Sequence, residues 1–210
     1  MSSAARAAGL RDWIGRHLDP LEDHDAVVGV HTDTIGGLPF EGEPAPAAVL
    51  VGLIERPQGY TVLLTRRADT LRNHTGQIAL PGGRRDPGET AWETALREAE
   101  EEVGLERRFV TLSGLSTPML TRTGFLITPV VGFIDPGFRL QPNPHEVADI
   151  FETPFLFLMD PANYEQRQGR TPAGDERRFY ALTWEDRLVW GATAGMLRAL
   201  HDRLQGEPGG

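Results

Sequence analysis

The chain has 210 residues, 40% of them hydrophobic and 24% charged, as expected for one soluble globular domain with modest extensions. It contains neither cysteine nor lysine, which excludes disulfides, zinc–thiolate sites, thiol nucleophiles and lysine-based Schiff-base or Walker chemistry. A net charge of -9 argues against non-specific nucleic-acid binding, and the lack of a long apolar run argues against a membrane span. The absence of cysteine suits a cytoplasmic protein.

Residues 1–46 are predicted to form an N-terminal helix and a connecting arm. The first residues are free of acids, as in a transit peptide, but an amphipathic docking helix fits the apolar spacing better. The positions that define this spacing are Leu10, Trp13, Ile14, His17 and Leu18. Glycine and proline are frequent from Thr32 to Ala47, which is typical of a connection.

The rest of the chain alternates between strand-like and helix-like patterns. Strands are predicted at Ala47–Glu55, Tyr60–Arg67, Phe109–Leu115, Phe125–Phe133, Val147–Phe151 and Phe179–Thr183, and helices at Ala91–Val103 and near Trp190–Leu204. Connections are predicted at Ala68–Leu80, Asp135–Pro144 and Asn163–Arg177, and a disordered tail at residues 205–210. Strands that outnumber and interleave with helices indicate an α+β fold with a mixed sheet.

The helix at Ala91–Val103 has clear start and stop signals. Thr90 and Glu93 have the spacing of a capping box, and Gly104 suits the left-handed position that ends a helix. An apolar stripe should face the core. Its members are Trp92, Ala95, Leu96, Ala99 and Val103.

This helix concentrates negative charge in its second half. At 100° per residue, Glu98 and Glu102 lie together at one edge of the apolar stripe and Glu101 lies just beyond, where mutual repulsion and the helix dipole both oppose them. An acidic face in solvent is one interpretation, and oxygen ligation of a divalent cation is the other. Arg97 could pair with Glu93, Glu101 or Glu89 and so hold the preceding loop.

The order and spacing of these residues resemble the Nudix box of Nudix hydrolases, with Ala99 the one soft departure. The motif is carried by Gly83, Glu89, Arg97, Glu98, Ala99, Glu101, Glu102, Gly104 and Leu105. The resemblance implies an α/β/α sandwich and hydrolysis of a nucleoside diphosphate linked to another group. It further implies Mg²⁺ or Mn²⁺ bound by Glu98, Glu102, Glu101 and the Gly83 carbonyl, with Glu89, Arg97 and Gly104 as structural support.

The preceding stretch, LLTRRADTLRNHTGQIALPGG, resembles a second signature, that of the coenzyme A pyrophosphatases within this superfamily. Its matching positions are Leu63, Leu64, Thr65, Arg67, Ala68, Arg72, Gly76, Pro81, Gly82 and Gly83, while Leu80 replaces a common phenylalanine. The resemblance implies that Arg67 and Arg72 hold substrate phosphates and that Gly82 and Gly83 let the backbone approach the substrate.

The implied activity is divalent-metal-dependent hydrolysis of coenzyme A or its thioesters to 3′,5′-ADP and (acyl-)4′-phosphopantetheine. The alternatives are a Nudix hydrolase of ADP-ribose, NADH or another dinucleotide, and a catalytically silent nucleotide-binding regulator. Candidates for the general base are Glu98, Glu101, Glu146 and Glu152, whereas His145 is expected to face solvent. The expected partner is a small molecule rather than a nucleic acid or a membrane, and a homodimer is left open.

Overall fold

The computed structural model describes residues 3–22, 31–32, 42–69, 76–170 and 176–206. Four helices lie within these ranges: α1 Ser3–Arg16, α2 Ala91–Val103, α3 Phe155–Leu158 and α4 Ala192–Leu204. The strands are β1 His31–Thr32, β2 Ala45–Arg56, β3 Gly59–Arg67, β4 Ile78–Ala79, β5 Gly82–Arg84, β6 Val110–Leu115, β7 Met119–Leu120, β8 Phe125–Ile134, β9 Val147–Pro154, β10 Glu165–Arg170, β11 Glu176–Trp184 and β12 Arg187–Trp190. None of the described helices is long and apolar enough to cross a membrane.

A nine-stranded mixed sheet forms the centre of the molecule. Strands β1, β7, β8, β2, β3 and β4 lie side by side, while β5 pairs with β2, β6 with β8 and β9 with β3. Strands β2 and β8 run parallel from Ala45 opposite Phe125 to Ile54 opposite Ile134, whereas β2 and β3 form an antiparallel hairpin. The predicted α+β fold with a mixed sheet is therefore confirmed.

Strand β2 is buried on both faces because its side chains alternate between two hydrophobic cores. Ala48 and Leu50 point into the core beneath α2, where they meet Ala95 and Ala99. Val49, Val51 and Leu53 point into the opposite core, which α1 and α4 cover with side chains such as Ile14 and Leu197. These two helical layers on the central sheet complete an α/β/α sandwich.

The second sheet contains β10, β11 and β12 in antiparallel order. Its presence corrects the expectation that Asn163–Arg177 is only a connection, because Glu165–Arg170 forms a strand and β11 begins at Glu176. The sequence of β10, EQRQGR, is polar and partly exposed, so it lacks the apolar alternation that identifies a strand. Residues 171–175 lie outside the described part of the chain.

Other boundaries differ by small amounts. Trp190 ends β12 and the last helix begins at Ala192, so the predicted helical start was two residues early. Phe109 belongs to a short 3₁₀ turn, and β6 begins at Val110. Most of the predicted arm and the end of the tail, residues 33–41 and 207–210, lie outside the described ranges.

Candidate active site

Helix α2 has the predicted bounds, Ala91–Val103. The hydroxyl of Thr90 accepts a hydrogen bond from the Glu93 N–H, and the Glu93 carboxylate accepts one from the Thr90 N–H at 2.8 Å, which completes the capping box. Gly104 ends the helix at a φ of 70°, a left-handed value that favours glycine. These caps confirm the start and stop signals and fix where the acidic residues begin.

The buried side of α2 differs from the predicted apolar stripe. Trp92 and Leu96 are only half-buried, whereas Glu102 is 4% exposed. The small side chains of Ala91, Ala95 and Ala99 are fully packed against the sheet, which lets the helix lie close to it. Glu102 is therefore carried into the protein interior rather than lying at the edge of the buried face.

Arg97 connects the helix to the loop before it. Its guanidinium donates two hydrogen bonds to the Glu89 carboxylate, at 2.8 and 3.0 Å, and one to the Arg84 carbonyl at 3.1 Å. The Thr94 hydroxyl and the Asp86 N–H donate to the same carboxylate. The Arg97 guanidinium, through hydrogen bonding, lowers the pKa of Glu89 to about 2. The loop and helix thus form one rigid unit.

Arg97 also contacts two carboxylates of the acidic cluster. One guanidinium nitrogen donates to Glu98 at 2.8 Å and to Glu101 at 3.2 Å. The Glu98 side chain is 15% exposed and the Glu101 side chain 57% exposed, so Glu101 lies at the solvent edge of the cluster. Of the three pairings considered for Arg97, the structure shows those with Glu89 and Glu101, while Glu93 serves the helix cap.

Gly82 and Gly83 bring the backbone of β5 against these carboxylates. The Gly82 N–H donates to the Glu102 carboxylate at 3.2 Å. A β-carbon on Gly83 would lie 2.5 Å from the carboxyl carbon of Glu98, and one on Gly82 would lie 2.3 Å from the Ala48 carbonyl oxygen. Gly82 therefore requires glycine because backbone atoms lie in the way, and a side chain at Gly83 would displace the Glu98 carboxylate.

Burial controls the charge state of the two inner carboxylates. Burial raises the pKa of Glu102 to about 7, and Glu98 and Glu146 add to this rise, although the Gly82 hydrogen bond and Arg67 oppose it. Burial also raises the pKa of Glu98, with Glu101 and Glu146 adding to the effect of desolvation and Arg97 opposing it. Glu98 and Glu102 are thus close enough to Glu146 to be repelled by it, and Glu101 adds to the repulsion of Glu98.

Glu146 reaches the cluster because its loop docks on the end of α2. The N–H groups of Gln141 and Asn143 donate to the carbonyls of Val103 and Glu102, both at 2.8 Å. Asn143 also donates to the Glu146 carboxylate at 3.4 Å. The role of Asn143 was not predicted, since only the folded chain brings this loop to the helix end.

Glu152 occupies a different place. Both of its carboxylate oxygens accept hydrogen bonds from Arg56, and Thr61 donates to one of them at 2.6 Å. The Arg56 hydrogen bond, helped by Thr61, lowers its pKa. Glu152 lies five residues beyond Val147 on β9, about 16 Å of extended strand. Its position along β9 and its pairing with Arg56 rather than Arg97 separate it from the other candidate bases. His145 is exposed, as expected.

Arg67 ends β3 beside the cluster, where its charge acts on Glu102. Its Nε atom is buried and has no hydrogen-bond partner among the described residues. Arg66 instead pairs with the exposed Asp69, and Arg85 donates to the Glu89 carbonyl. Arg72 falls within residues 70–75, outside the described part of the chain.

The donors at this site fit a hard divalent cation. Glu102 is buried, has a raised pKa and accepts a backbone hydrogen bond but no ion pair from the described residues. In the described ranges no three acidic or histidine side chains are already assembled as a metal site, and Glu98 and Glu101 both face Arg97. Carboxylates that repel one another in a buried position are ligands that Mg²⁺ or Mn²⁺ would stabilise.

The chain matches known proteins over most of its length. A family model for the NUDIX domain matches residues 43–186. The uncharacterized Nudix hydrolase NudL of Photorhabdus laumondii is 41% identical, over 76% of this chain and 84% of its own. NudL of Yersinia enterocolitica is 39% identical, over 79% and 84%.

A solved structure, the Nudix hydrolase RenU of M. smegmatis, is 27% identical, with a TM-score of 0.47, and covers 64% of this chain and 82% of its own. The family model spans well over half of this chain, and both NudL proteins exceed a third in identity. The chain belongs to the Nudix family of hydrolases.

Proposed function

We propose that this Nudix hydrolase cleaves the diphosphate bond of coenzyme A and its thioesters. Water adds to one phosphorus and the bridging P–O bond breaks, which gives 3′,5′-ADP and (acyl-)4′-phosphopantetheine. The observation that carries the proposal is the continuity of two signatures: the stretch from Leu63 to Gly83 runs directly into the box that ends at Leu105. Action on a pyrophosphate bond follows from the family, whereas the coenzyme A substrate rests on the upstream signature.

The geometry supports this proposal because both signatures meet at one point. Gly82, from the upstream signature, donates to Glu102 of the box, and Arg67 acts electrostatically on the same carboxylate. The buried Nε of Arg67 has no partner in the described residues. A guanidinium whose Nε has no partner among the described residues, beside a cluster of carboxylates, suits a phosphate that arrives with its cations.

The metal would be held by Glu98 and Glu102, with Glu101 and the Gly83 carbonyl as further donors. When bound, Mg²⁺ or Mn²⁺ supplies charge neutralisation for the phosphoryl oxygens in the transition state. The chain itself orients these groups: Arg97 ties the helix to Glu89, and Gly83 leaves room for the Glu98 carboxylate. Burial of Glu102 excludes water from the inner donor.

Glu146 is the proposed general base, because it lies near Glu98 and Glu102 and is not engaged by an arginine in the described residues. We expect Glu146→Gln to lower kcat by about 10²- to 10⁴-fold, the range of general-base catalysis. Glu152→Gln is the matched control, because Glu152 is bound to Arg56. A larger kcat loss in the Glu152 variant would reverse the assignment.

The decisive experiment is product analysis by liquid chromatography and mass spectrometry after incubation with Mg²⁺ or Mn²⁺. Coenzyme A, dephospho-coenzyme A and ADP-ribose are compared at equal concentration, and 3′,5′-ADP with 4′-phosphopantetheine are the expected products. A higher kcat/KM for ADP-ribose would overturn the coenzyme A proposal in favour of a dinucleotide hydrolase. Nucleotide binding without any product would indicate a silent regulatory module.

The upstream arginines test which phosphate is recognised. If Arg72 holds the 3′-phosphate, Arg72→Ala should raise KM for coenzyme A more than for dephospho-coenzyme A, which lacks that group. Arg67→Ala should affect both substrates equally if Arg67 holds the diphosphate. Equal effects of Arg72→Ala on the two substrates would assign Arg72 to the diphosphate or to structure.

A further inference from the structure

The outer face of the second sheet carries a cluster of rings and a guanidinium that the catalytic site does not use. Arg177 lies over the ring of Phe179, at 5.0 Å from its centroid, and over the ring of Trp190 at 5.5 Å. The two ring centroids are 5.5 Å apart. We call these three side chains the aromatic platform.

Strand register shows that the platform faces away from the core. Leu182 lies opposite Val189, and both are buried in the core below the sheet. Phe179 and Trp190 are on the other set of alternating positions, because Ala181 lies opposite Trp190. Phe179 and Trp190 are half-buried, so each ring keeps exposed surface.

The platform also keeps an unused positive charge. Arg177 has no acidic or hydrogen-bonding partner among the described residues, and its Nε atom is buried without one. Arg167 on the same face, by contrast, pairs with Glu165 at 2.9 Å. Stacking on two rings holds the Arg177 guanidinium in one orientation while its charge remains available to an anion.

Gly169 brings β10 close to the platform. It lies directly opposite Arg177, and a β-carbon there would lie 3.3 Å from the edge of the Phe179 ring and 3.8 Å from the Arg177 Nε atom. A larger residue at this position would crowd the ring. The glycine therefore lets the Phe179 ring pack closely over β10 and fixes its place in the platform.

The platform lies near the catalytic site through strand β4. Strand β4 pairs with β3 at Thr65 and Arg66, next to Arg67. Strand β12, which ends at Trp190, lies on β4 as well. Arg67 and Trp190 thus end two strands that both contact β4.

We propose that the aromatic platform binds the nucleobase of the substrate, with Arg177 facing the negative charge of the nucleotide. This inference rests on the proposed function in that it assigns a binding site to the nucleotide half of a diphosphate substrate. Exposed aromatic rings beside a stacked arginine are the chemistry that recognises a planar heterocyclic base. The three residues bind the substrate and take no part in bond cleavage.

The first test measures steady-state kinetics with coenzyme A and Mg²⁺. Phe179→Leu should raise KM by roughly 10- to 100-fold, the range that one stacked base contributes, with kcat little changed. Leu188→Ala is the matched control, since Leu188 is exposed on the same sheet face but is not part of the platform. An unchanged KM in Phe179→Leu would overturn the platform and leave the proposed function intact.

The second test needs no turnover. Adenosine 3′,5′-bisphosphate should quench tryptophan fluorescence and 4′-phosphopantetheine should not, because only the former carries a base. The quenching should vanish in Trp190→Phe, which identifies the reporting indole. If coenzyme A is not cleaved but the bisphosphate still quenches Trp190 and Phe179→Leu weakens it, the platform stands and the proposed substrate fails. Absence of quenching overturns the platform.

Gly169→Val provides a second variant in case loss of the ring disturbs the sheet. It keeps the side chains of Arg177, Phe179 and Trp190 but adds bulk beside the Phe179 ring and the Arg177 Nε atom, so the ring must shift. We expect weaker binding of adenosine 3′,5′-bisphosphate by Gly169→Val, with an unchanged circular dichroism spectrum. Binding equal to that of the unmodified chain would mean that displacing the Phe179 ring has no effect on the nucleotide, which would overturn the platform.

Discussion

Two carboxylates of the same motif, Glu89 and Glu102, are held in opposite electrostatic environments. Glu89 receives two hydrogen bonds from Arg97, and this lowers its pKa to about 2. Glu102 is buried without an ion pair in the described residues, and burial raises its pKa to about 7. The two groups lie at opposite ends of one loop-and-helix unit. The protein stabilises the negative charge of Glu89 and destabilises that of Glu102.

The difference shows that the two ends of the motif have different roles, one structural and the other proposed to bind a metal. The Glu89 end is complete in the protein alone, because each charge has its partner and the loop is fixed in place. The Glu102 end is incomplete, because like charges are buried together and would be stabilised by a cation. Because the Glu89 end is rigid, the carboxylates at the Glu102 end cannot move apart to relieve their repulsion.

The largest effect should come from removing the negative charges of the proposed metal ligands. Glu98→Gln and Glu102→Gln should each lower metal-supported turnover by about 10³-fold or more, since each removes a proposed ligand. Glu100→Gln is the control, because Glu100 is exposed and pairs with Arg107. Assays at several Mg²⁺ and Mn²⁺ concentrations are the measurement, and ordinary turnover in both ligand variants would remove the metal-site assignment.

A steric change at the glycine pair should have the next largest effect. In Gly83→Ala the new β-carbon would lie 2.5 Å from the Glu98 carboxyl carbon, so the carboxylate must move. A displacement of about 1 Å in a catalytic group can cost about 10²-fold in rate, and we expect a kcat loss of that size. Gly9→Ala serves as control, because it has open space on α1. Full activity in Gly83→Ala would show that Glu98 tolerates displacement.

The sequence predicts the bounds of α2 but not the depth at which Glu102 is buried. The bounds of α2 could be predicted because the Thr90–Glu93 capping box and Gly104 are local signals. The depth of Glu102 could not, because helical periodicity placed it at the edge of the stripe. Three small alanines let the helix approach the sheet, and this tertiary effect buried the carboxylate.

Long-range contacts explain the other features that the sequence did not predict. Asn143 and Gln141 dock on the last carbonyls of α2 from a loop almost forty residues away, and no local pattern predicts that contact. Glu146 was a candidate from its position before a strand, but only the folded loop places it near Glu98. The polar strand β10 was missed because its partners, rather than its own side chains, hold it in the sheet.

The pH dependence of stability should separate the two environments. In metal-free protein the pKa of Glu102 is raised from 4.5 to about 7, so its neutral form stabilises the fold below pH 4.5. That contribution, roughly 3 kcal/mol, is lost as pH rises from 4.5 through about 7. Glu102→Gln should abolish this part of the decline. Urea unfolding with EDTA at pH 5 and pH 7.5 measures it, and identical pH profiles in both proteins would contradict the buried charge.

The smallest effect should come from Glu89, at the end of the motif where each charge has a partner. Its contribution to the free energy of unfolding changes with pH in the opposite direction to that of Glu102. The pKa of Glu89 is lowered from 4.5 to about 2, so its charged form stabilises the fold above pH 4.5, and this is lost as pH falls toward 2. Glu89→Gln should reduce the free energy of unfolding by about 1 to 2 kcal/mol at pH 7, because Arg97 loses charge-assisted hydrogen bonds. Glu106→Gln disrupts the exposed pair with Arg108 and should cost under about 0.5 kcal/mol. Equal costs in urea unfolding would mean that the Glu89–Arg97 contact adds no more than a surface ion pair, and the rigidity of the loop would then have to come from the packing of α2.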